Sequence, residues 1–152
     1  MPLTSLKAFF ESLIPASPER AASGHSLQVA TAVLLVEVMR ADAHFTLSER
    51  AAVLVALRER FSLTGDEVEA LFAVADDAAR GAHDLHAFTS RLNETLQPED
   101  KASIVESMWQ VAYADGRLES HEQHLMWRIA DLLHVPHGAY IAAKMRAKEH
   151  AL

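Results

Sequence analysis

The sequence predicts an all-α protein, and three observations predict it. Apolar residues recur with helical spacing over nearly the whole 152-residue chain, no segment of useful length alternates apolar and polar with period two, and the few glycines and prolines fall between the periodic runs. The expected architecture is one compact bundle of about seven to eight helices, because a chain of this length makes about one domain. Half the residues are apolar and 23% are charged, so the chain can fill a core and is not a disordered acidic tail.

Each element follows from its spacing. Leu3, Leu6, Phe9, Phe10, Leu13 and Ile14 form the apolar face of a short amphipathic helix over residues 1–14, with Lys7 and Glu11 between them. Its single lysine and lack of a basic cluster favour packing on the protein's own core over a membrane-surface anchor. Glu11 interrupts the apolar run that a signal peptide would need, so the chain reads as unprocessed. Residues 15–25, rich in proline and serine, read as a linker.

The stretch Leu27 to Ala41 is apolar almost all round and too short for the roughly 20 residues that span a bilayer. It is therefore expected to be the central buried helix, with no direct membrane insertion. Leu47 to Phe61 follows, with Leu54, Leu57 and Phe61 on one stripe and a capping box of Thr46 with Glu49 at its start. A second box, Thr64 with Glu67, opens a helix that buries Val68, Leu71, Phe72 and Ala75 and ends near Gly81. Leu85, Phe88, Leu92 and Leu96 mark the next. Pro98 suits a first helical turn, and Ile104, Val105, Met108 and Val111 carry that helix to about Tyr113. Leu125, Ile129, Leu132 and Leu133 mark another, and Pro136 restarts the chain into a last helix with Tyr140, Ile141 and Met145. Trp109, Trp127, Met108 and Met126 lie at helical spacing and are expected to pack in the core.

The chain also repeats itself. Ala41 to Glu49 lies over Ala114 to Glu122 with Ala, Asp and Glu coinciding, Val38 falls on Val111, and Phe61-Ser62-Leu63 matches Leu133-His134-Val135 after one gap. This divides the domain into a first repeat at 26–64, connecting helices at 65–97 and a second repeat at 98–148, related by an approximate twofold.

Within the second repeat, the pattern Ala-Asp-Gly-x-Leu-x-x-x-Glu up to Glu122, followed by Leu125, Ile129 and Leu132 to Val135, resembles the TerB-like tellurite-resistance family. The same signature is similar to the N-terminal domain of a membrane-anchored DnaJ-like co-chaperone. Arg40 to Phe45 with Glu49 resembles the family's earlier, looser repeat, and Leu92 to Glu99 the stretch before the second. The likeness runs from about Leu27 to the C-terminus. It implies an all-helical fold, a role in metal or tellurite stress, and protein partners in complexes at the inner face of the membrane. It implies no enzymatic activity.

Charge and composition exclude further classes. A net charge of −7 argues against a protein that grips nucleic acid or anionic lipid, and the absence of cysteine removes disulfides, thiolate zinc sites and cysteine nucleophiles together. No glycine-rich phosphate loop or nucleophile elbow is present, so the chain is expected not to be an enzyme.

The candidate site consists of Asp42 with Glu49 and Asp115 with Glu122. Carboxylates seven residues apart across a tight turn can approach each other as hard oxygen ligands, of the kind calcium or magnesium prefers. The spacing is not that of an EF-hand. The same glutamates also suit the third position of a capping box, where the helix dipole favours a carboxylate. His121 and His124, three apart beside Glu122, are additional candidate ligands and could hold zinc, although the residue four beyond His121 is Leu125 and no metalloprotease motif results. His83 and His86 flank Asp84 and read as capping. Gly116 tolerates a left-handed turn that Ala43 would strain by roughly 1 kcal/mol, so the second loop is expected to be the better formed.

Two functions fit. One is a cytoplasmic metal-binding or metal-stress adaptor, peripheral to the inner membrane, with a divalent cation in the acidic loops. The other is a metal-independent helical interaction domain docking at a membrane-associated complex. A homodimer is open in both.

Overall fold

The computed structural model describes residues 27–41, 47–81, 85–114, 118 and 120–151. Among them are seven helices: α1 (Leu27–Ala41), α2 (Leu47–Phe61), α3 (Gly65–Gly81), α4 (His86–Thr95), α5 (Pro98–Tyr113), α6 (Ser120–Leu132) and α7 (His137–Ala151). No strand occurs among the described residues. The expected N-terminal helix and linker, both aspartates of the candidate site, Thr46, His83 and Asp84 lie outside them.

The all-round apolar pattern of α1 has the expected consequence. Residues 29–36, Val38 and Met39 are buried, and α2, α3, α4, α5 and α6 all pack against this helix. Two polar residues, Glu37 and Arg40, interrupt its burial toward the C-terminal end. Glu37 is half-buried, and loss of water raises its carboxyl above the usual range, with Arg40 at 4.0 Å acting in the opposite sense.

The helix ends are set by local chemistry. The predicted box at α3 forms, with the Thr64 amide donating to Glu67 Oε1 at 2.9 Å and the Glu67 amide to Thr64 Oγ1 at 3.2 Å. At α5 the Gln97 amide donates to Asp100 Oδ2 at 3.3 Å, an acid cap that accompanies Pro98 in the first turn. The ends of α2 and α6 are alike. Ser62 and His134 take left-handed φ values of 54° and 59°, and the next amides return to the carbonyls of Arg58 and Ala130, each at 3.0 Å. This is the helix-terminating motif that usually employs glycine.

Side chains tie the elements together. Arg60, near the end of α2, donates to Ser103 Oγ at 2.8 Å and Ser107 Oγ at 3.2 Å on α5. Asn93 donates to the Leu132 carbonyl at 2.8 Å, joining α4 to the end of α6. The most extensive helix pair is α5 with α7, and α7 has no comparable second neighbour. Trp109 of α5 is its centre: the indole lies 5.7 Å from the Tyr113 ring and 5.4 Å from the Tyr140 ring, and Lys144 Nζ stands 5.1 Å over it. Arg146 and Glu106 close the same contact with an ion pair.

One expectation about packing needs correction. Trp109, Met108 and Met126 are buried as expected, but Trp127 is 52% exposed. Neighbours on a helix point about 100° apart, and α6 turns Met126, Ile129 and Leu133 inward, which carries Trp127 out. Likewise the inward stripe of α7 is Tyr140, Ala143 and Ala147, leaving Ile141 and Met145 exposed.

The aromatic cluster gives the fold an alkaline limit. Burial, with the Tyr113 phenol nearby, pushes Tyr140 up to about 12. A raised phenol favours the neutral form in the folded state, so its contribution is complete below the ordinary phenol value of about 10 and is lost as pH rises through about 12. After allowance for solvent screening, the loss is on the order of 1–2 kcal/mol. Urea midpoints measured across that interval should fall in the parent, and Tyr140→Phe should fall less.

Candidate acidic helix starts

The sequence directs one carboxylate inward at the start of α2 and another at the start of α6. Since α2 begins at Leu47 and α6 at Ser120, Glu49 and Glu122 each occupy the third helical position. Helical spacing then aligns Glu49 with Val53 and Leu57, and Glu122 with Met126, Ile129 and Leu133, all of them buried. Both glutamates head a core stripe and both are 0% exposed. A carboxylate so removed from water requires compensating charge or hydrogen-bond donors, and the partial positive charge of a helix start favours an acid at this position.

The two sites have different surroundings. The second loop leaves α5 immediately after Tyr113, beside the Trp109 cluster, and burial raises the Tyr113 phenol. The first loop leaves α1 one turn after Glu37. By the register that sets Val38 on Val111, Glu37 corresponds to Gln110 on α5, so the acid that precedes the first loop has no counterpart at the end of α5. Glu37 was not among the residues singled out from sequence. Its signal is a lone acid in an otherwise apolar helix.

Of the other candidates, His124 is exposed while Glu122 on the same helix is buried, so the two face different ways. His121 belongs to α6, but its side chain, like Asp42 and Asp115, lies outside the described set. Among the described residues no three His, Asp or Glu side chains stand together in a way that could hold a metal ion. A cation set would combine each buried glutamate with its loop aspartate, an all-oxygen donor chemistry suited to a hard divalent ion. His86 and His134 instead line a polar cleft of about 360 Å³ between α4 and α6, with Ser90, Asn93 and Asp131.

Helical packing around one apolar helix, with two acid-bearing helix starts, defines a small all-α domain. The family model for the tellurite resistance protein TerB matches residues 28–145, and the chain belongs to that family. No curated protein and no solved structure matches it. No helix among the described residues is long and apolar enough to cross a membrane.

Proposed function

We propose that this TerB-family chain is a non-enzymatic, metal-responsive adaptor of the cytoplasm, whose two acidic loops take a hard divalent cation and whose helices present a surface to protein partners. The observation that carries this reading is the complete burial of Glu49 and Glu122 at equivalent places beside the loops that hold Asp42 and Asp115. Calcium or magnesium suits these oxygen donors, and zinc would draw on His121 and His124. Partners are proteins, including those of a membrane-associated complex.

The aromatic cluster offers a direct test. Terbium, a hard cation used as a luminescent stand-in for calcium, is sensitised by nearby tyrosine and tryptophan, and Tyr113 with Trp109 adjoins the second loop. Terbium emission excited through these rings is expected in the parent and lost in Asp115→Ala. Emission that is absent in the parent, or unchanged by the substitution, leaves the glutamates as helix caps and favours the metal-independent interaction domain.

A further inference from the structure

Asp131 stands at the unfavourable end of its helix. It lies in the last turn of α6, where the negative end of the dipole favours cations, and that turn carries no basic residue. The carboxylate is exposed, and among the described residues it has no ion-pair partner, although Arg128 is only three positions away. The same residue lines a groove of about 290 Å³ between α6 and α7. Trp127 lines it too, one turn before Asp131, because residues four apart on a helix are neighbours. Two more rings come from α7: Tyr140 and His137, with centroids 6.2 Å apart and 29° between their planes. Ala130 and Val135, both buried, complete the lining. Among the described residues, no lysine or arginine lines the groove.

The geometry points to a binding site for one arginine side chain of a partner protein, with its guanidinium against Trp127 and Tyr140 and paired with Asp131. This gives the partner surface of the proposed function its chemistry and rests on that part of the reading alone. Ring faces attract a cation, and a carboxylate beside them adds a charge-assisted hydrogen bond. Arginine suits both better than lysine, since its planar group stacks on an indole, offers paired donors to a carboxylate and is more weakly hydrated. Size sets the scale of the ligand. The volume falls just below the roughly 300–1,000 Å³ of sites that enclose whole small molecules, so it accommodates a side chain that a larger partner presents. Apolar surface continues alongside: His137, Ile141 and Met145 recur every four residues on α7, and the last two are exposed. Residues flanking the arginine would lie there. The net charge of −7 adds attraction for a basic partner.

The test is a titration of the full chain, in chelator, with N-acetyl-Leu-Arg-Leu amide, followed by the indole N–H signals in nitrogen–proton NMR spectra. The chain has two tryptophans, one buried and one exposed, and the Trp127 signal is identified by its loss in Trp127→Phe. A saturable shift of that signal is expected, with affinity roughly fivefold weaker in Asp131→Asn and for the citrulline counterpart, which keeps the shape without the charge. Asp131 is exposed, so that substitution should leave the fold intact. No saturable shift, equal affinity for the citrulline or lysine peptide, or an unchanged affinity in Asp131→Asn overturns the proposal. Shifts confined to the amides of His86, Ser90 and Asn93 place the cation in the cleft between α4 and α6, which Asp131 also borders, and overturn it as well. Because the titration contains no free metal, its failure leaves the terbium result in force, and loss of terbium emission leaves this site untouched.

Discussion

Replacing Trp109 with alanine is expected to destabilise the fold by about 3–5 kcal/mol, the usual cost of truncating a buried aromatic residue. The indole is 1% exposed and joins Tyr113, Tyr140 and Lys144 across the contact between α5 and α7. Because α7 packs extensively on no other helix, the cavity should loosen the whole C-terminal helix as well as lowering the urea midpoint. Val55→Ala, on the exposed face of α2, provides the contrast and should stay within about 0.5 kcal/mol of the parent. Equal losses in the two variants would show that the α5–α7 contact is not the anchor described here.

The second large effect concerns the buried acids. A cation that binds only the folded chain stabilises it by about 2.7 kcal/mol at a concentration a hundred times its dissociation constant. Calcium at saturating concentration should therefore raise the urea midpoint of the parent, and Glu49→Gln/Glu122→Gln should lose most of that gain. Glutamine keeps the shape and serves at the third position of a capping box, so a purely capping role predicts no difference between parent and variant in calcium. Without metal the variant should be as stable as the parent or more so, because two carboxylates no longer have to be kept from water. A calcium-dependent gain that survives the double substitution removes the glutamates from the ligand set.

Helical periodicity carried most of the fold because the core here is built along helices rather than between strands. The all-apolar run from Leu27 to Ala41 could only be satisfied by burial on every side, and that is where α1 lies. The places where periodicity misled are those where two apolar neighbours competed for one inward direction. Met126 and Trp127 cannot both face the core, and Glu122 already fixes the stripe to which Met126 belongs. On α7 the inward places went to Tyr140, Ala143 and Ala147, because small residues let that helix lie close to α5, whereas the bulkier Ile141 and Met145 face outward.

The candidate site was legible in part for a similar reason. A glutamate three residues after a capping position has a fixed helical phase, so Glu49 and Glu122 could be located from sequence, but their depth depends on how α2 and α6 tilt against α1. That is a tertiary property. The link from Arg60 to Ser103 and Ser107 was not visible either, since the residues it joins are more than forty positions apart. Glu37 was hidden by its setting, where a single acid among apolar residues reads as an interruption until the adjoining loop is placed beside it.

The most direct measurement is a calorimetric titration of the full chain with calcium, magnesium and zinc, repeated on Asp42→Ala and on Asp115→Ala. Saturable binding of a hard cation is expected in the parent, with a weakening in both variants that is larger for Asp115→Ala, whose loop has Gly116 where the first has Ala43. Absence of binding in the parent, or heat that neither substitution changes, would contradict the assignment of the acidic loops as the cation site.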